Sequence, residues 1–341
     1  MSTAAKASRL RRASTLLLVL LATCGLLEAG LRLLEPFPVE PPLYPGDVEH
    51  DAQVRGSTRI DPALGWRFEP FARVSDKGPD FELEYECDAD GFRATPKRDG
   101  ATQRIVFVGD SFTFGVGVGS TDTFVERVAS ELDGVEVHNL GMAGYGVDQM
   151  LCALREVGLA RQPTLVIAVF VLDDFTRSTT SYRYRNGWMR KPTFALDGDE
   201  LVERTAENSP NVAWRWLSQN LALAELARRV ERRVELRWGV GERLDLNVRL
   251  LVEMREACRA HGVEFAAVHL PQRGAWKRFD VLGERLASED VALLDLGAQA
   301  VEAPAELYFR RDPHLNAAGH AWVAERLAEF VIERGWAAAR R

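Results

Sequence analysis

The stretch Arg104-Ile105-Val106-Phe107-Val108-Gly109-Asp110-Ser111-Phe112 decides the fold of this chain. Ile105 to Val108 is a short, uninterrupted apolar run, the pattern of a strand buried on both faces of a parallel sheet. It stops at Gly109-Asp110-Ser111, residue types suited to a tight strand-to-helix turn. Working outward, the rhythm repeats. Val135–Leu140, Thr164–Phe170, Val263–Leu270 and Val291–Leu296 read as four further strands. Helical periodicity fills the gaps at Phe124–Leu132, Val147–Leu159 and Asp245–His261. A last helix is expected after Asn316 as N-cap, with Val323, Leu327, Phe330 and Val331 on one face. Alternating β and α elements predict an α/β domain, a five-stranded parallel sheet covered by helices on both sides.

The 341 residues are enough for such a domain with appendages, and the hydrophobic fraction of 46% allows a sizeable core. The net charge of −7 excludes a nucleic-acid partner, because no broad positive field is present to displace phosphate counterions. Cys24, Cys87, Cys152 and Cys258 are scattered without C-x-x-C spacing, so neither a zinc site nor a disulfide framework is indicated. Cys87 with Cys152 or Cys258 stays open as a single pair. No cofactor and no metal are expected.

Residues 1–35 form a separate module. Lys6, Arg9, Arg11 and Arg12 precede an uncharged run from Ser14 to Leu27, and apolar character continues to Leu34 around Glu28 and Arg32. The fourteen uncharged residues span only about 21 Å of helix, against roughly 30 Å for a bilayer core. Glu28 and Arg32 stand four apart, close enough to pair or snorkel. A cleaved signal peptide and a retained signal anchor both fit; the anchor is preferred because no A-x-A site follows. A lipoprotein reading through Leu21-Ala22-Thr23-Cys24 is weaker, since Thr is poor before a lipidated cysteine. The basic start predicts a cytoplasmic amino end and everything after Pro36 outside. Residues 36–60, with Pro36, Pro38, Pro41, Pro42 and Pro45, read as a semi-extended linker. A β-rich lead-in is expected over 61–103, as a structural flap, and an insertion over about 176–241. The insertion reads as a hairpin through Tyr182, Tyr184, Trp188 and Phe194 to Leu201, then a solvated helical arm from Trp214 to Trp238.

Ligands of parallel α/β sheets bind at the carboxyl ends of the strands. Four clusters fall there. Gly109-Asp110-Ser111 lifts a hydroxyl onto the first turn. Asn139-Leu140-Gly141-Met142-Ala143-Gly144 follows the second strand and suits backbone donation. Leu172-Asp173-Asp174-Phe175 closes the third strand; its paired carboxylates lack a histidine partner for a metal. Asp312-Pro313-His314 precedes the last helix, and an aspartate two residues before a histidine can fix the imidazole that a serine nucleophile needs. His50, His138, His261 and His269 lack such a carboxylate in a strand-end loop, and His320 reads as a first-turn helix residue that caps or packs locally.

In this order the four clusters resemble the blocks of the SGNH/GDSL hydrolase superfamily, over about residues 104–334. The resemblance implies a three-layer, flavodoxin-like α/β/α fold and a Ser-His-Asp mechanism. Ser111 would be nucleophile and one oxyanion donor, Gly144 a second donor, and His314 with Asp312 the base system, with Asp110 and Asp174 supporting. Asp312-Pro313-His314 has D-x-H spacing where D-x-x-H is commoner. That form, like the lead-in segment Asp88-Ala89-Asp90-Gly91-Phe92-Arg93, is similar to membrane-anchored bacterial members of the polysaccharide (alginate-like) O-acetylation branch. Asp173 departs from the pattern: it stands where the superfamily carries the Asn that donates to the oxyanion. A carboxylate only accepts, so Asp173 is expected either protonated by burial near Asp174 and Asp110, or turned towards Arg177. The resemblance implies an extracytoplasmic esterase or deacetylase of acyl, foremost acetyl, esters. The alternatives are an O-acetyltransferase and a non-catalytic carbohydrate-binding protein. The implied partners are an acylated carbohydrate or small ester, the membrane, and, for transfer, a membrane acyl-donor protein.

Overall fold

The computed structural model describes residues 3–34, 57–184, 188–204, 221–223, 226, 240–272, 280–299 and 305–340. Two compact units result, one of Met1–Pro42 with Asn208–Val240 and one of Leu43–Glu207 with Gly241–Arg341.

In the first unit, helix α1 (Thr3–Leu34) contains Ser14–Leu33, 20 residues of mean hydropathy 1.9, long and apolar enough to cross a membrane. Its leucines at 16, 17, 18, 20 and 21 are exposed. Glu28 accepts from Arg32 Nε at 2.7 Å, as its four-residue spacing predicts, and also from the backbone N–H groups of Ala222 (2.9 Å) and Leu223 (3.0 Å). Of the expected helix Trp214–Trp238, Leu221, Ala222, Leu223 and Leu226 are described, and the last three of these are helical. The rest of it, and the proline-rich stretch up to residue 56, lie outside the described residues.

The second unit opens with two antiparallel hairpins, β1 (Thr58–Asp61) with β2 (Gly65–Phe68), and β3 (Arg73–Lys77) with β4 (Glu82–Glu86). The expected linker is therefore shorter than 36–60, since Thr58 already pairs with Phe68. Next come β5 (Gln103–Gly109), α2 (Ser111–Phe114), α3 (Phe124–Glu131), β6 (Val135–Gly141), α4 (Val147–Ala153), β7 (Leu165–Phe170) and α5 (Leu172–Arg177). The first part of the insertion is two hairpins rather than one, β8 (Tyr182–Tyr184) with β9 (Trp188–Arg190) and β10 (Thr193–Asp197) with β11 (Glu200–Arg204). Between them Lys191 is buried and its ammonium pairs with the buried Asp148 of α4, which fastens this part of the insertion to the main fold. A long helix, Val240–Ala260, leads to β12 (Glu264–His269), and the helix Asp280–Ser288 leads to β13 (Ala292–Asp295).

The central sheet has the order β13-β12-β7-β5-β6, parallel throughout. In chain order that is 2-1-3-4-5, the flavodoxin-like arrangement, whose crevice opens between the ends of β5 and β7. Alternation along each strand divides the core. Val106, Val108, Val166 and Ala168 face one layer, while Ile105, Phe107, Ile167 and Val169 face the other. All six residues of β7 are buried, as its continuous apolar run requires. The helix expected over 147–159 is α-helical to Ala153, then widens into a π turn over Leu154–Gly158 and tightens into a 3-10 turn over Leu159–Arg161. All four cysteines are free, so the pairing left open for Cys87 is not made.

The last helix, Ala317–Glu333, starts where Asn316 caps it, accepting from the N–H groups of Ala318 (2.9 Å) and Gly319 (3.0 Å). His320 packs across the fold rather than locally: its Nδ1 accepts from the N–H of Phe124 at 3.1 Å and its ring stacks on Phe124. Burial pushes its pKa from 6.5 down to about 3. Between those values the unfolded chain takes up a proton that the folded chain refuses, so stability is full above pH 6.5 and falls as the pH drops towards 3. Thermal melts should therefore show the wild type losing stability steadily below about pH 6.5. His320→Gln, which retains an acceptor and does not titrate, should show a flatter acid limb. Parallel limbs in the two proteins would refute the assignment.

Candidate active site

The crevice is built on a pair of glycines. Gly109 and Gly141 end β5 and β6 in register, and the short helix α2 lies directly on them. A Cβ at Gly109 would sit 2.0 Å from Thr113 Oγ1, and one at Gly141 2.3 Å from the N of Phe114. Only residues without a side chain allow α2 this close, and so place Ser111 over the sheet's end. Asp110 caps α2, its Oδ1 accepting from the N–H of Phe112 at 2.9 Å. Asn139, quoted from sequence only as the start of its block, braces the same turn. Its amide donates to Thr113 O at 2.7 Å and its oxygen accepts from the N–H of Gly141 at 2.9 Å.

Asp312 and His314 arrive from the loop before the last helix. His314 Nε2 lies 2.8 Å from Ser111 Oγ, and His314 Nδ1 lies 2.6 Å from Asp312 Oδ1. With a carboxylate at Nδ1 that nitrogen carries the proton, which leaves Nε2 to accept from the serine hydroxyl. The same Asp312 oxygen accepts from the N–H of His314 at 2.9 Å, locking the loop that holds the ring. Ser111 is only 7% exposed, yet it keeps this contact with a ring packed against Phe112 at 5.0 Å. Gly144 follows β6 in a left-handed conformation (φ 89°) that glycine alone adopts freely. Among the described residues, neither the N–H of Gly144 nor that of Ser111 has an acceptor.

The third loop corrects the sequence expectation. Asp174 is fully buried, and its Oδ2 accepts from the N–H of Val171 at 2.9 Å. Asp173, by contrast, is exposed on the first turn of α5, so the expected burial beside Asp174 and Asp110 does not occur. Nor does its carboxylate hydrogen-bond Arg177, although its charge favours that guanidinium through space. That guanidinium bonds Asp110 Oδ2 at 2.9 Å, Tyr145 O at 3.2 Å, and Asp174 Oδ1.

The lead-in does more than a flap would. Tyr145 OH donates to Trp66 O at 2.6 Å, and Trp66 Nε1 donates to Ala143 O at 3.3 Å, both on the loop that carries Gly144. Arg93 is buried and donates to the carbonyls of Phe114, Gly115 and Val118 just after the serine turn, at 3.3, 3.2 and 2.9 Å. Asp80 accepts from the N–H groups of Arg311 (2.7 Å) and Asp312 (2.8 Å). Those amides, Asp312 first, hold its carboxyl below the usual 3.8. None of these three braces was read from sequence; the only local sign was the turn Lys77-Gly78-Pro79 just before Asp80. Asp80→Ala should slow the reaction of Ser111 with a serine-directed phosphonate about 10-fold, and Asp80→Asn by less, because it retains one acceptor. Equal labelling rates in all three proteins, measured by intact mass, would show that the hook is idle.

Against known proteins, the model of the GDSL-like Lipase/Acylhydrolase family matches residues 107–322. Similar solved structures include the lipase/acylhydrolase from Enterococcus faecalis, with 14% identity over 70% of this chain and 100% of that one, at a TM-score of 0.41. Another is a psychrotrophic esterase from Pseudoalteromonas sp., with 10% identity over 68% of this chain and 98% of that one, at a TM-score of 0.43. No curated protein matches. The family match begins within β5 and runs through the loops of Ser111, Gly144, Asp173 and His314 into the last helix, and on that span the chain belongs to the GDSL-like lipase/acylhydrolase family of serine esterases and hydrolases.

Proposed function

We propose that the protein cleaves acyl esters, acetyl esters foremost, through a Ser-His-Asp mechanism on the outer side of the cytoplasmic membrane. The observation that carries this reading is the continuous chain from Asp312 Oδ1 through His314 to Ser111 Oγ, at 2.6 and 2.8 Å. In it, Ser111 Oγ attacks the ester carbonyl as His314 Nε2 takes its proton. Asp312 holds the tautomer and stabilises the imidazolium that forms. The unpaired N–H groups of Ser111 and Gly144 receive the developing oxyanion. His314 then returns its proton to the departing alkoxide, and water, activated by the same imidazole, releases the acid from the acyl-enzyme.

Retention of α1 as an anchor is supported by Glu28, whose carboxylate is engaged by Ala222 and Leu223, 194 and 195 residues further on. A leader that is removed needs no such partner. With the basic residues before Ser14 left inside, the domain that follows lies outside the cytoplasm. The D-x-H spacing at Asp312–His314 favours a second reading, in which the acyl group passes to a sugar hydroxyl supplied with a membrane acyl-donor protein.

In the full-length protein in detergent, turnover of an activated acetyl ester should vanish in Ser111→Ala. It should rise in Asp173→Asn, which restores an amide where a carboxylate now accepts; one oxyanion donor is worth about 10²–10³ in rate. Persistent turnover in folded Ser111→Ala would refute the mechanism. Mass spectrometry of added oligosaccharides separates the two readings: acetylated sugar marks transfer, and free acetate alone marks hydrolysis.

A further inference from the structure

Arg177 is a cation with no place in the mechanism above, yet it sits at its centre. Its side chain is only 10% exposed, and it is enclosed by Asp110, 1% exposed, and Asp174, fully buried. One nitrogen, Nη1, donates to three acceptors, two on other loops and one within its own helix α5. Asp110 Oδ2, at 2.9 Å, belongs to the residue before the proposed nucleophile. Tyr145 O, at 3.2 Å, belongs to the residue after the proposed oxyanion glycine. Asp174 Oδ1 belongs to the third loop, beside the position where the family's amide is absent. The next residue repeats the linkage. Ser178 Oγ accepts from the N–H groups of Val147 and Asp148 at 3.0 and 3.4 Å and donates to Asp174 O at 2.9 Å. Gly146 permits this approach: a Cβ there would stand 2.9 Å from the N of Ser178 and 3.0 Å from the Cβ of Arg177.

We propose that Arg177 is the positioning residue of this active site, holding the serine turn, the oxyanion loop and the third loop in one register in a chain whose position 173 cannot supply the usual amide. The proposal rests on Ser111 being the nucleophile. Arg177 orders the two remaining oxyanion donors, the N–H groups of Ser111 and Gly144, through the residues next to each. Its charge also stands against three carboxylates, those of Asp110, Asp173 and Asp174, that otherwise oppose an oxyanion from the same side of the crevice. A lysine cannot replace it: its ammonium keeps the charge but ends one bond short of the Nη1 position at which all three acceptors converge.

The test uses full-length protein. In the wild type, Ser111-dependent turnover is established first; its absence overturns the nucleophile assignment and this proposal together, before any Arg177 variant is made. Given that turnover, folded Arg177→Met should lose about 10²-fold in kcat with KM within about 3-fold, the signature of misplaced reacting groups. Free guanidinium should restore part of the activity. Wild-type kcat, or a loss without guanidinium rescue, overturns the proposal while the nucleophile stands. If Arg177→Met does not fold, Arg177→Lys decides: reduced kcat with an intact circular-dichroism spectrum supports the proposal, and undiminished kcat overturns it.

Discussion

Everything chemical in this protein depends on a steric fact at the end of two strands. Gly109 and Gly141 face each other in register, and α2 occupies the space where their side chains would be, with the Thr113 side chain over Gly109 and its own backbone over Gly141. A single methyl at either position collides with Thr113 or Phe114 at well under van der Waals distance. The serine turn therefore sits low on the sheet, with Ser111 buried at its start. The order of the strands does the rest, because the 2-1-3-4-5 arrangement opens that crevice between β5 and β7.

Holding irregular loops in place over such an edge is a problem of unpaired carbonyls and amides, and the chain answers it with charged side chains used as multidentate ties. Arg93 collects three carbonyls after the serine turn, Asp80 collects two amides before His314, and Arg177 joins a carbonyl to two carboxylates. Burial lowers the pKa of Arg93 to about 10, and it still stays protonated at neutral pH. Buried charges add little net stability when paired, but removing one partner leaves the other uncompensated at a cost of about 3–5 kcal/mol. Such ties fix geometry more than they add stability. That accounts for the lead-in, two small hairpins that would not persist in isolation, contributing Trp66, Asp80 and Arg93 to three of the four loops.

The five strands, the last helix with its Asn316 cap, and the loops of Ser111, Gly144 and Asp312–His314 were all legible in the sequence, because each is written locally. Apolar runs mark buried strands, glycines mark close approaches, and an aspartate two residues from a histidine marks a dyad. The braces were not legible, since Asp80 and Asp312 are 232 residues apart and nothing near either one signals the other. The widening of the helix at Leu154–Gly158 also left no periodic trace, because the π turn and the 3-10 turn after it are each too short to set a period of their own. Arg177 was noted only as a cation near Asp173; its geometry shows that it serves Asp110 and Asp174.

That reassignment changes the meaning of the carboxylate at 173. Two unit charges 4 Å apart interact by about 1 kcal/mol in water, but by about 4 kcal/mol at the effective dielectric of a protein surface site. Buried in the crevice and ionised, Asp173 would set the larger figure against an oxyanion. Exposed on the first turn of α5, it is screened towards the smaller one. The buried Asp174, in the low-dielectric position, is the one matched with a guanidinium. The chain thus keeps its unpaired negative charge where solvent weakens it and its paired one where solvent is absent. Under the proposed mechanism the missing amide leaves the oxyanion short of one hydrogen bond, while the exposed residue in its place adds little repulsion. On the proposed mechanism such a site can no longer tolerate disorder, because two backbone N–H groups do the work of three donors.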